Sequence, residues 1–409
     1  MNAPATLDRD LSADFPGLCT AEGKPWHYLD TAATAQKPRA VIEAMTRALG
    51  EDYATVHRGV YARSAEMTLR YEAARRRVAQ FIGGQEDELI FTRGATEAIN
   101  LVANSWGRAN LKPGDRILLS QLEHHSNIVP WQLVARETGA EIDVVPLTQD
   151  HRIDLDAAEE MLGERHKMVA FGHVSNVLGS VLDAPRAAAM AHRVGAKLLL
   201  DGCQSAPHMP VDVEALDCDF YVFSAHKLYG PTGIGALWAR GDILADMPPW
   251  EGGGAMIDRV TFEGTTYAPP PQRFEAGTPA IAEAIAFAAA ADYVAEADLD
   301  TVRVREADLV ARLRRELTAM NDVTVFGPDD SAGIVSFAID GIHPHDLGTI
   351  LDEADVAIRA GHHCAQPLMD YLGITATARA SFGLYSREAD VDALLEGIAR
   401  TRRIFGTSG

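Results

Sequence analysis

At 409 residues, with 47% hydrophobic and 23% charged side chains, the chain has the composition of a soluble globular protein with room for a large buried core. A formal net charge of −21 argues against nucleic acid or an anionic membrane surface as a partner. It leaves small anionic substrates open, since a few local arginines can bind them.

Met1 to Pro16 carries Asp8, Asp10 and Asp14 and has no apolar core, so a secretory signal is not expected. The apolar run around Ala284 to Ala291 is too short for a bilayer span and is bracketed by Glu283 and Asp292. The expected location is the cytoplasm. The cysteines, Cys19, Cys203, Cys218 and Cys364, lack CxxC spacing, and no disulfide framework is expected in that compartment. Cys203 and Cys218 read as small buried hydrophobes.

From Tyr28 to Arg240, short apolar runs alternate with amphipathic stretches. The pattern predicts strands over Glu88–Thr92, Arg116–Ser120, Ile142–Pro146, Met168–His173, Lys197–Asp201 and Asp219–Ser224. Helical periodicity separates most of them, over Thr96–Ala109, Ile128–Thr138, Asp156–Leu162 and Pro185–Val194. Such alternation predicts an α/β fold with a mostly parallel sheet covered by helices on both faces. Between Pro248 and Pro279 the texture turns irregular, with Gly252-Gly253-Gly254 and Pro269-Pro270-Pro271. A loop of that length in a compact domain is usually functional or an intersubunit arm. Helices follow over Pro279–Ala295 and on to about Met320. Beyond them, strands at Gly333–Ile339, Val356–Arg359 and Ala378–Ser381 and helices at His345–Ala354 and Glu388–Phe405 have the look of a smaller α+β domain. The expected division is 1–19 as an N-terminal segment packing on the smaller domain, 20–295 as the large domain, and 296–409 as the small one. No internal repeat or low-complexity tail is visible.

Ligands of parallel sheets bind beyond the carboxyl ends of the strands. Two such ends are chemically loaded here: Asp201, with Gln204 just beyond it, and Ser224-Ala225-His226-Lys227. Alone, Lys227 reads as an exposed lysine at a strand end. Beside a hydroxyl, an imidazole and a carboxylate, it has what a pyridoxal phosphate enzyme needs. The lysine amine forms the Schiff base, Ser224 and His226 can hold phosphate, and Asp201 can pair with the pyridinium nitrogen.

Other stretches each carry an ordinary reading beside a functional one. Arg93-Gly94-Ala95-Thr96-Glu97 opens a helix, where free N–H groups and the Thr96 hydroxyl make a phosphate seat; it is also an ordinary turn with Thr96 as N-cap. In Glu123-His124-His125-Ser126-Asn127, His124 can stack on an aromatic cofactor. Adjacent histidines do not easily chelate one metal, and no metal site is expected. Asn176 can reach a cofactor phenol oxygen or a substrate carboxylate, or form a turn. In Arg359-Ala360-Gly361-His362-His363-Cys364-Ala365, the imidazoles and an arginine near Cys364 can favour its thiolate; a cysteine at a loop base is the alternative. Arg379 supplies a forked cation suited to a carboxylate.

Together these residues resemble the pyridoxal phosphate-dependent cysteine desulfurases of the class V aminotransferase family, over nearly the whole chain. Arg359 to Ala365 is similar to the signature of the second, SUF-type group, and Asp201–Gln204 and Ser224–Lys227 match the family's cofactor motifs. Ala95 stands where some relatives carry a second threonine, which leaves Thr96 for the phosphate. The resemblance implies a fold type I transferase, a homodimer, and a Thr278 that reaches the phosphate bound in the neighbouring subunit. It implies conversion of L-cysteine to L-alanine with a persulfide on Cys364, passed to a sulfur-acceptor protein of the SUF system for iron–sulfur cluster assembly. Lys227, Cys364 and His124 are then the catalytic set. Ala95, Thr96, His124, Asn176, Asp201, Gln204, Ser224, His226, Lys227 and Thr278 bind cofactor. Asn176, Arg359 and Arg379 bind substrate, with Arg359, His362 and His363 ordering the loop. A selenocysteine lyase would use the same groups. A non-enzymatic cofactor-binding regulator would keep the fold, although no basic recognition segment accompanies it.

Overall fold

A computed structural model describes residues 10–406, so the N-terminal segment is followed from Asp10 and the last helix to its end, while residues 1–9 and 407–409 lie outside the described chain. Its centre is a seven-stranded sheet in the order Leu89–Thr92, Gly235–Ala239, Phe220–Ser224, Lys197–Asp201, His166–Gly172, Arg116–Ser120, Glu141–Val145. All neighbours pair in parallel except Gly235–Ala239, which runs antiparallel to both of its own.

The strands form because their alternate residues feed two different cores. Leu118, Val169, Phe171, Leu198, Leu200, Tyr221 and Phe223 enter one. Ile117, Leu119, Met168, Ala170, Leu199, Phe220 and Val222 enter the other. Burial on both faces explains why these strands read as unbroken apolar runs instead of alternating ones.

The expected α/β architecture is borne out, with boundary shifts of one or two residues for most elements. Three of the expected stretches differ more, and the Gly235–Ala239 and Val323–Phe326 strands and the Arg39–Gly50 and Ala62–Phe81 helices were not expected. The expected helix Thr96–Ala109 is Ala95–Val102, then a π-helical turn Ala103–Gly107, then Arg108–Asn110. The side-chain amides of Asn100, Asn104 and Asn110 donate to carbonyls one turn back, and the wider turn lays Trp106 against Phe220. The irregular Pro248–Pro279 stretch contains an antiparallel hairpin, Ile257–Val260 with Thr265–Tyr267. Its side chains are mostly exposed, so no alternation betrays it. The expected strand Val356–Arg359 is two. Val356–Ala357 pairs in parallel with His27–Tyr28, while Arg359–Gly361 joins a second sheet.

That second sheet runs Val323–Phe326, Ile334–Ile339, Thr377–Ser381, Arg359–Gly361, all antiparallel. It shares a core of its own with the Leu299–Thr318, Pro344–Asp352 and Glu388–Phe405 helices. Phe15 is wedged among Tyr229, Tyr293 and Tyr385, so one ring contacts both parts of the molecule. No helix among the described residues is long and apolar enough to cross a membrane.

Candidate active site

Six of the seven strands, all but Gly235–Ala239, run the same way and end on one edge of the large sheet, and a cavity lies beyond them. Gly202 allows the chain to turn after Asp201: a Cβ there would sit 2.0 Å from the Tyr221 ring. Asp201 is buried, with Oδ1 accepting from the Cys203 N–H at 3.0 Å. Ser224, at the next strand end, accepts the Ala95 N–H at 2.9 Å through Oγ, so both expected phosphate contacts meet in one hydrogen bond. Gly94 makes that junction possible with φ of 153°, which a side chain would strain. Thr96 is exposed on the first turn of the helix. Lys227 enters the cavity wall with His226, whose imidazole burial, and then Lys227, hold down to about 4.

His124 faces the same cavity. Its Nδ1 accepts from Ser126 N at 3.1 Å, which leaves the proton on Nε2. Burial first, and then Lys227, lower it to about 4, so the ring is neutral at pH 7 and suited to stacking. Behind it, Glu123 is 2% exposed and held by Ser120 Oγ, Asn127 Nδ2 and Gly172 N at 2.5, 2.6 and 3.1 Å. Burial pushes this carboxyl up to about 7. Gln204 donates through Nε2 to Ala32 O at 2.8 Å, while its buried Oε1 has no partner among the described residues.

The opposite wall is a loop. His363 and Cys364 follow one another with φ of 52° and 56°. The Cys364 carbonyl accepts from His125 N at 2.8 Å, and the Cys364 N–H donates to His362 Nδ1 at 3.2 Å. His363 is buried and engages Thr377 Oγ1 at 2.8 Å; burial first, and then Arg379, depress it to about 2. Asn176 donates from Nδ2 to His363 O at 2.8 Å, and its own carbonyl accepts from Arg379 Nη1 at 2.7 Å. It therefore ties the cysteine loop to the arginine as well as lining the cavity. Arg379 is buried and also reaches Asp30 Oδ1 at 3.1 Å, while its Nε has no partner among the described residues. Arg359 lies more loosely, 3.8 Å from the same aspartate, and is largely exposed.

Every expected site residue except Thr278 lines this one cavity. Thr278 is exposed and borders a separate groove with Trp250, Glu275 and Gly277. Among the described residues no group of three or more His, Cys, Asp or Glu is gathered as a metal site.

Residues 27–394 match the Aminotransferase class-V family model. The chain is 49% identical to a cysteine desulfurase of Cronobacter sakazakii, over 97% of this chain and 99% of that protein. It is 47% identical to a cysteine desulfurase of Escherichia coli O127:H6, over 97% and 98%. Among solved structures it is similar to the E. coli cysteine desulfurase CsdA in its S-sulfonic acid form, with a TM-score of 0.90, 41% identity and 96% and 98% coverage. It is also similar to the apo cysteine desulfurase of Thermococcus onnurineus, with a TM-score of 0.92, 37% identity and 98% and 99% coverage. The chain belongs to the class-V aminotransferase family. It is a pyridoxal phosphate-dependent enzyme, placed by these relatives among the cysteine desulfurases.

The cavity fits such a cofactor on its own chemistry. An amine, a carboxylate and a neutral imidazole converge there, and three buried polar atoms of the lining residues, Gln204 Oε1, His363 Nδ1 and Arg379 Nε, have no partner among the described residues. Several contributors carry no sequence signal of their own. Asp30 stands in none of the motifs named above, and its pairing with Arg379 spans 349 residues. Glu123 stands in a quoted motif with no role attached. Thr377 and His125 matter only through contacts that the fold creates.

Proposed function

We propose that this class-V enzyme converts L-cysteine to L-alanine and carries the released sulfur as a persulfide on Cys364. The observation that carries the reading is one cavity bounded by Lys227 and Asp201 on rigid strand ends and by Cys364 on the facing loop. Pyridoxal phosphate supplies an imine-forming carbonyl and a ring that accepts the electrons of a Cα carbanion. Lys227 would anchor it and, once released, take the Cα proton. Asp201 would keep the ring nitrogen protonated, His124 would stack on the ring, and Gln204 would face the phenol oxygen. Ala95, Thr96, Ser224 and His226 would seat the phosphate, with Thr278 of a second subunit. Arg379, aimed by Asn176 and Asp30, presents its free Nε to the substrate carboxylate, with Arg359 at the rim.

The Cys364 thiolate then attacks the substrate sulfur. The S–S bond forms as the Cβ–S bond breaks, and protonation of the carbon side gives alanine. A persulfide on a half-buried loop calls for an acceptor protein. The Arg359–Ala365 signature supports the SUF type, with iron–sulfur cluster assembly in the cytoplasm as the destination. The exposed Thr278, which lines a groove other than its own subunit's Lys227 cavity, supports the homodimer. We propose the division at 295/296, with the His27–Tyr28 strand travelling with the smaller sheet.

Mapping the products decides the central claim. L-cysteine should yield alanine, and the labelled persulfide should map to Cys364. Cys364→Ser should lose at least ~100-fold in alanine formation, the scale of a positioned catalytic group. Selenocysteine turnover should suffer less, because selenium leaves carbon more readily. Unchanged alanine production from cysteine would overturn the reading.

A further inference from the structure

Arg75, in the Ala62–Phe81 helix, is 1% exposed and does not border the Lys227 cavity. Its fork grips Glu275, Nη1 to Oε1 at 2.5 Å and Nη2 to Oε2 at 2.8 Å. Nε and the second Nη1 hydrogen reach Glu72 Oε2 and Leu89 O, both at 3.0 Å. The guanidinium also stands over the rings of Tyr71 and Phe91, at 5.3 and 4.9 Å. Glu275 accepts the Phe91 N–H at 2.7 Å as well. One carboxylate is thus fixed from a helix and from an edge strand.

Glu275 stands three residues before Thr278, in a segment that the Gly277 N–H pins to Gly254 O at 2.8 Å. A glycine-rich, exposed stretch would otherwise sample many conformations. A buried ion pair is weak evidence for stability, but a bidentate one fixes direction. We propose that Arg75 and Glu275 are positioning residues that aim Thr278 at the cofactor phosphate of the partner subunit, so that each subunit's ion pair governs cofactor retention in the other's site. This rests on the reading of Thr278 given above.

Mixed dimers of the holoenzyme test it, read by the absorbance of lysine-bound cofactor on dilution. Glu275→Gln homodimers should release cofactor at roughly 10-fold higher concentration than wild type. Placing Lys227→Ala in one subunit confines the signal to the other site. With Glu275→Gln and Lys227→Ala on the same chain, opposite a wild-type chain, the reporting site receives the misaimed Thr278 and should be loose. With Glu275→Gln on the chain that keeps Lys227, opposite Lys227→Ala, the reporting site receives an intact Thr278 and should be tight. The reverse pattern, or equal loosening in both, would overturn the inference, since damage would then be local. Arg75→Lys, which keeps charge but loses the fork, should repeat the pattern more weakly and serves if Glu275→Gln fails to fold. Thr278→Ala separates the two claims. Tight retention in its homodimer would sink the Thr278 reading itself. Loosening by Thr278→Ala without any by Glu275→Gln would sink only the role of the ion pair.

Discussion

Asp201, Ser224 and Lys227 are delivered by strands buried on both faces, with backbone in ordinary conformations. Cys364 faces them from a loop in which two successive non-glycine residues hold positive φ. Each such residue costs roughly 1–3 kcal/mol and persists only when its surroundings over-determine it. Here the surroundings are few and nameable: His125 N on Cys364 O, Asn176 on His363 O, and Thr377 on the His363 ring. The difference matches what each wall has to do. Proton removal beside a ring demands fixed geometry, which strand ends provide. A sulfur that must be received and then handed on demands a thiol held by contacts that can be exchanged.

The sharpest way to break this comparison is to remove one wall's chemistry and watch the other. Lys227→Ala should abolish turnover, by more than ~100-fold, and remove the absorbance of lysine-bound cofactor. Alkylation of Cys364 should stay within about twofold of wild type, because no hydrogen bond of its loop involves Lys227. A large change in Cys364 reactivity would show that the walls are one unit.

Asn176 is the next test, because it sits on the seam. Asn176→Ala removes the donor to His363 O and leaves a buried carbonyl unpaired, worth about 1–3 kcal/mol. Turnover should fall roughly 10-fold, on that energy scale, and Cys364 alkylation should quicken. Cofactor absorbance should barely move. Loss of cofactor with unchanged alkylation would assign Asn176 to the cofactor wall instead.

The same contrast explains what could be read from the sequence. The Lys227 wall was legible because apolar runs stop at polar residues, and the fold places all such stops on one edge. Arg116–Ser120 and Lys197–Asp201 match their expected bounds. The Cys364 wall was legible only as a motif. Its supports, Thr377, His125 and the Asp30–Arg379 pair, join positions far apart in the chain and follow no period. The Ala62–Phe81 helix that carries Arg75 was not singled out either, since its arginine-rich composition blurs the apolar stripe.

The smallest effect concerns Glu123, which backs the strand-end wall. Its folded carboxyl titrates at about 7, against 4.5 for the free group, because burial disfavours the charge. Between those values the folded protein holds a proton that the unfolded chain releases, so this group subtracts stability as pH rises from 4.5 to 7. Four histidines act oppositely. His124, His173 and His226, at about 4, and His363, at about 2, stay neutral when folded while the unfolded chain charges below 6.5. Their contribution is full above 6.5 and lost as pH falls. Stability of the cofactor-free protein should therefore rise from pH 4.5 to 6.5, with Glu123 blunting the rise. Glu123→Gln removes the blunting, so its urea midpoint should climb more steeply, gaining on wild type by at most about 1.4 kcal/mol per pH unit. Above pH 7 the two curves should run parallel. If they run parallel throughout, the Glu123 carboxyl is already ionised in the folded state, and the wall behind His124 is wetter than its burial implies.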